Sequence, residues 1–150
     1  MKTLLLIDTH ALLHRFFHAL PPLTTPENEP IQAIYGISKV LLKILRSADG
    51  VPPPDYIAAA LDRKEPTFRK EQFADYKAHR AAAPDSLIAQ ILRLPALFSA
   101  FNMQTFSAAG FEADDMLGAL AEQLKNEPDL HIIIISGDLD LLQLVQDKKV

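Results

Sequence analysis

Apolar positions along the chain follow two rhythms. Residues 3–7, 56–61 and 131–135 are apolar at nearly every position, and Ile132, Ile133, Ile134 and Ile135 form an unbroken β-branched block. Such runs predict strands covered on both faces, as in a parallel sheet. Residues 104–106 predict a fourth, weaker strand. Between the strands the rhythm becomes helical. One stripe carries Ile34, Ile37, Leu41 and Leu45 over residues 33–45. A second carries Leu87, Ile91, Leu94 and Phe98 over residues 86–101, and a third carries Leu117, Leu120 and Leu124 over residues 112–125. Strands alternating with helices predict an α/β domain with a mostly parallel central sheet. Prolines mark the loops, four of them between residues 20 and 30 and three at residues 52–54. No repeat or linker divides the 150 residues, so they read as one domain.

Composition narrows the function classes. There is no Cys, which excludes a disulfide framework, a thiolate zinc site and a cysteine nucleophile, and fits a cytoplasmic protein. Asp8 interrupts the first apolar run too early for a signal peptide, and no run approaches the ~18 residues of a membrane span. The net charge of −4 conceals an asymmetry. Residues 112–147 hold nine acids and one base, whereas residues 63–80 hold six bases and three acids. The pairing suggests a divalent-cation site beside an anion-binding surface; two solvated faces are the plainer reading.

The acids fall at particular places. Asp8 follows the first strand and Asp62 the second. Glu112, Asp114 and Asp115 open the helix after the third, and Asp138 and Asp140 follow the fourth. In a parallel sheet all of these lie at the carboxyl edge of the strands, where open α/β sheets bind ligands. Each alone is explained by helix capping or by the helix dipole. Seven together would repel one another unless cations intervene. Oxygen-only donors suit Mg²⁺ or Mn²⁺, and two such ions can activate water against a phosphodiester.

The basic segment 63–80 leaves the same edge. Phe68, Phe73 and Tyr76 interleave with Arg63, Arg69, Lys77 and Arg80, a pattern suited to single-stranded nucleic acid. For Phe68 and Phe73, packing into the core is the favoured expectation; for Lys77 and Arg80 it is phosphate contact. Arg15 could reach a phosphate or form a structural ion pair. His10, His14 and His18 have a four-residue spacing, but no Glu lies between them and oxygen ligands dominate elsewhere, so a histidine metal site is not expected.

Taken in order, these residues resemble the N-terminal part of the 5′–3′ exonuclease domain of bacterial DNA polymerase I, a flap endonuclease family with a PIN-like nuclease core. The matching stretches are residues 5–8, 15–21, 33–36, 61–63, 66–69, 75–80, 110–115 and 136–145. The resemblance implies a three-layer PIN-like domain and a divalent-metal-dependent nuclease acting on DNA 5′ ends and flaps, and on RNA primers. It implies that Asp8, Asp62, Glu112, Asp114, Asp115, Asp138 and Asp140 hold metal, as two Mg²⁺ or Mn²⁺ sites. It assigns Lys77 and Arg80 to the scissile phosphate, and Arg15 and Tyr76 to substrate. A polymerase domain, on this or another chain, is the implied partner. The chain departs from the family at Thr9 and His10, where Gly and Asn are usual, and at Leu139, where a base is frequent. The family continues past Val150 with two more metal-binding aspartates and a helix–three-turn–helix motif, so residues 1–150 are expected to be a truncated domain. Two other readings are a non-catalytic fragment or nucleic-acid-binding module, and a small PIN-type ribonuclease.

Overall fold

The computed structural model describes residues 1–47, 50, 52–63, 65, 67–73, 82–147 and 149–150. The first apolar run is strand β1 (Lys2–Asp8), which leads directly into helix α1 (Thr9–Ala19). β1 lies inside a four-stranded sheet. It pairs in parallel with β2 (Tyr56–Ala60) on one side and β4 (Leu130–Ile135) on the other, and β3 (Gln104–Phe106) pairs in parallel with β2. The order is β3-β2-β1-β4, and each crossover carries helix, as parallel pairing requires.

Alternation along β1 divides the core into two layers. Leu5 and Ile7, with Ala59, face helices α1, α2 (Gln32–Leu45), α4 (Asp85–Ile91) and α5 (Leu94–Ala100), through Leu13, Ile37, Leu41, Leu87, Leu94 and Phe98. Leu4 and Leu6, with Ala60 and Ile132, face helix α6 (Ala113–Leu124) through Ala113 and Leu117. The 3₁₀ helix Leu139–Leu144 joins this layer through Leu141. The three-layer α/β arrangement expected from the sequence is therefore present.

Two expectations are corrected. Residues 86–101 form two helices rather than one, because Pro95 has no N–H to continue the helical ladder and its ring crowds the preceding turn. The chain turns at Leu92 and Arg93, and Leu87, Leu94 and Phe98 still reach the same core. The isoleucine block is not covered on both faces. β4 is an edge strand among the described residues, and Ile133 is 39% exposed while Ile132 is buried.

Two close contacts hold the helical layer together. Gly36 of α2 lies against Phe16 of α1, where a Cβ would come within 2.5 Å of the ring. The amino end of α2 has no cap of its own. Gln90, fully buried on α4, supplies one instead, accepting the N–H groups of Ala33 at 2.7 Å and Ile34 at 3.3 Å.

Candidate functional site

The carboxyl edge of the sheet is built from helix caps. Asp8 ends β1 in extended geometry and caps α1, accepting the N–H of Ala11 at 3.1 Å through Oδ1. Its other oxygen, Oδ2, accepts the Ser136 hydroxyl at 2.5 Å, which ties the end of β1 to the end of β4. Asp8 is only 5% exposed, and these two bonds offset the cost of burying its charge. The Ser136 hydroxyl oxygen accepts the N–H of Asp138 at 2.9 Å. Asp138 in turn caps the 3₁₀ helix by accepting the N–H of Asp140.

A second set of bonds joins β2 to α6. Asp62 accepts the N–H of Ala113 at 2.6 Å, so a residue after β2 satisfies the first turn of a helix that begins after β3. The backbone N–H of Asp62 donates to His10 Nδ1 at 3.2 Å, and that nitrogen lies 3.6 Å from the Asp62 carboxylate. Accepting this bond requires an unprotonated Nδ1, so the imidazole proton sits on Nε2. Glu112 and Asp115 form a capping box at the start of α6, with Asp115 accepting the Glu112 N–H at 3.0 Å.

Arg69 lies within this second set. It stands on the short helix α3 (Phe68–Gln72) and makes a bidentate pair with Asp115, at 2.5 and 2.7 Å. It also lies 3.6 Å from Glu112 and 3.8 Å from Asp114. Asp114 and Asp140 line one recess of about 650 Å³ together with Arg69, Leu139 and Gln143. Burial pushes the Asp114 carboxyl above the usual aspartate range; the Asp115 and Glu112 charges add to that rise, and the Asp115 N–H and Arg69 oppose it. On the far side of Asp138, Arg15 lines a shallower recess with Ala11 and Gly137.

The seven acids thus share one edge, as the sequence implied, yet they do not form a ready ligand cage. Among the described residues no three acidic or imidazole groups converge closely enough to hold an ion. The cause is visible in the bonds above. Asp8, Asp62, Glu112, Asp115 and Asp138 are turned toward backbone N–H groups, and Asp115 is also held by Arg69. The donor chemistry nevertheless fits a hard cation. All seven carboxylates offer oxygen alone, and Asp114 sits in a negative, partly buried setting that a cation would relieve.

The described bases of the segment 63–80 take different places. Arg69 faces the acids rather than open solvent. Arg63 is exposed, and its guanidinium forms two bonds to Glu65, at 2.9 and 3.1 Å. Tyr76, Lys77 and Arg80 lie outside the described residues. Of the aromatics expected in the core, Phe73 is 66% exposed, while Phe68 packs beside Phe111 with ring centres 5.6 Å apart. The three histidines do not act together: His10 turns to Asp62, whereas His14 and His18 stack with centres 6.3 Å apart. Ser136, His10 and Gln143 are site residues that the pattern of acids did not single out. Ser136 and Gln143 flank the Asp138–Asp140 turn in sequence, and His10 is two residues from Asp8.

Comparison with known proteins gives this geometry a context. The family described as 5′-3′ exonuclease, N-terminal resolvase-like domain matches residues 3–150. DNA polymerase I of Caldicellulosiruptor bescii is 44% identical over 147 residues, covering 98% of this chain and 17% of the polymerase. The thermostable DNA polymerase I of Thermus aquaticus is 40% identical over 144 residues, covering 96% and 17%. The chain therefore spans about a sixth of the length of these relatives. Among solved structures, T5 5′-exonuclease with bound zinc superposes with a TM-score of 0.65 at 25% identity, covering 98% of this chain and 53% of that one. A T5 flap endonuclease variant in complex with DNA and metal ions superposes with a TM-score of 0.64 at 24% identity, covering 98% and 53%. The likeness to the second extends to the fold. No helix among the described residues is long and apolar enough to cross a membrane.

Proposed function

Because this chain belongs to the family of 5′–3′ exonuclease N-terminal, resolvase-like domains, we propose that its carboxylate edge is the divalent-cation site of a 5′ nuclease acting on DNA 5′ ends and flaps. The observation that carries the reading is the recess that Asp114 and Asp140 both line beside Arg69. Two elements on either side of β4, α6 and the 3₁₀ helix, there contribute acids to one open recess.

Asp8, Asp62, Glu112, Asp114, Asp115, Asp138 and Asp140 would hold Mg²⁺ or Mn²⁺, as two ions, once the caps and Arg69 yield their oxygens. Cations held there would lower the pKa of a water for attack on phosphorus and offset charge on the leaving oxygen. The chain's own cations act on the substrate. Arg15, exposed beside Asp138, would pair with a phosphate that enters its recess. Lys77 and Arg80 are assigned to the scissile phosphate and Tyr76 to a base, on the resemblance of residues 75–80. Asp8 is the most deeply buried of the acids, and its bond to Ser136 keeps the ends of β1 and β4 in register beneath the site. The names of the relatives suggest a DNA polymerase domain as partner, and RNA primers are a further proposed substrate.

The test is cleavage of a 5′-labelled flap DNA. Release of a short labelled fragment in Mg²⁺ or Mn²⁺, and none in EDTA, is the expected result. A second reading, a half-site that binds metal or nucleic acid without turnover, draws on the absence of a three-ligand cluster among the described residues. A folded chain that binds the flap and leaves it intact would favour that reading. Cutting of RNA without regard to a 5′ end would favour a PIN-type ribonuclease.

A further inference from the structure

We propose that Arg69 is a tethered counter-cation that occupies the carboxylate recess until a divalent ion displaces it, so that metal binding and the position of α3 are coupled. The proposal rests on the metal-site reading above and adds a role that substrate contact alone does not supply. Three acids lie within four residues, Glu112, Asp114 and Asp115, and one guanidinium lies within 4 Å of all three. Arg69 cannot relieve competition by losing its proton, because guanidinium stays charged in proteins. It can only move.

Arg69 engages both Asp115 oxygens. One Asp115 oxygen accepts Arg69 Nη2, and the other accepts both Arg69 Nη1 and the Glu112 N–H. A cation that binds carboxylate oxygens at about 2.1 Å competes with the guanidinium for the same two oxygens and the same negative charge. Occupancy by Arg69 and occupancy by metal therefore oppose each other, and by linkage each weakens the other equally. Arg69 does not reach the site by chance. The N–H of Phe68 donates to Gly110 O at 2.8 Å, and the Phe68 ring packs on Phe111, just before Glu112. These contacts dock α3 on the amino end of α6 and deliver the guanidinium to the acids. Since α3 lies within the basic stretch 63–80, release of Arg69 would turn a cation outward where a phosphate can take it. That reconciles its present place among the acids with a nucleic-acid role.

The experiment titrates Mn²⁺ into the wild-type chain, Arg69→Gln and Arg69→Lys, following free Mn²⁺ by electron paramagnetic resonance. Arg69→Gln should bind Mn²⁺ about two- to fivefold more tightly than wild type, the scale of one partly exposed ion pair. It should also melt at a lower temperature in EDTA. Arg69→Lys, which keeps the charge but loses the fork, should lie between the two. In the wild-type chain, saturating Mg²⁺ should speed amide exchange at residues 68–72. Equal or weaker Mn²⁺ binding by a folded Arg69→Gln would overturn the proposal and leave the metal site standing. If Arg69→Gln does not fold, Arg69→Lys and the exchange rates decide: wild-type affinity in Arg69→Lys with exchange unmoved by Mg²⁺ overturns it. No Mn²⁺ binding by any of the three chains would overturn the metal-site reading and this proposal with it.

Discussion

Asp62 and Ala113 are 51 residues apart, and the Asp62 carboxylate accepts the Ala113 N–H at 2.6 Å. The bond joins the exit of β2 to the entry of α6. An acid that the family resemblance assigns to metal is thus also a cap that ties two elements together.

This dual role predicts a split between two substitutions. Asp62→Asn keeps an oxygen acceptor for Ala113 and should unfold within about 0.5 kcal/mol of wild type in urea, whereas Asp62→Ala should lose about 1 kcal/mol, the usual worth of a cap. Both should lose Mg²⁺-dependent cleavage. Equal stability of the two variants would mean that the cap contributes nothing.

Ser136 serves two partners, donating to Asp8 and accepting from Asp138. Ser136→Ala leaves a buried carboxylate oxygen without its donor. It should cost about 1–3 kcal/mol in chemical denaturation. A change below about 0.5 kcal/mol, the level of an ordinary surface substitution, would contradict the pairing.

Gly36 is required by packing rather than by backbone conformation. A methyl group there would meet Phe16 Cγ at 2.5 Å and Phe16 Cβ at 2.8 Å, near the root of the side chain, where rotation gives little relief. Gly36→Ala should destabilise by about 1–3 kcal/mol despite the better helix propensity of Ala. A stabilised variant would show that α1 and α2 are spaced more widely than described.

Asp114 sets a pH dependence. Its carboxyl titrates above the usual aspartate range, because burial and the Asp115 and Glu112 charges disfavour its ionised form. A carboxyl raised in the fold binds protons more readily there than in the unfolded chain. Stability is therefore fullest below the unfolded aspartate pKa of about 3.9 and falls as pH rises through the folded value. In EDTA, Asp114→Asn should melt above wild type at pH 7, and the gap should close near pH 3.5. Added Mg²⁺ should stabilise wild type more than the variant. A variant that melts below wild type at pH 7 would contradict this assignment.

Much of this molecule is readable from residue order. The apolar runs place the strands because a parallel strand inside a sheet, such as β1, leaves few polar positions. Asp8 marks a strand exit because its carboxylate caps α1 there, whereas the Asp62 carboxylate caps the distant α6. Arg69 was not readable in the same way. Its position among bases predicts a solvent-facing cation, and only the docking of Phe68 on Gly110 and Phe111 turns it toward the acids. Gln90 is similar. Nothing local distinguishes it from a surface glutamine, and its capping of α2 arises only when α4 folds across that helix. Pro95 is the local cause of the break at residues 92–93, and the apolar stripe running through it conceals the break in the sequence pattern.

The most direct test of the account compares single-turnover cleavage of 5′-flap DNA in Mg²⁺ by wild type, Asp114→Asn and Asp140→Asn, each checked for folding. The two acids come from different elements and face one recess. If that recess holds the cation, each substitution should slow cleavage by about 100-fold or more, on the scale of losing a charge-stabilising group from an active site. Cleavage at the wild-type rate by either folded variant, or cleavage by wild type that persists in EDTA, would contradict the account.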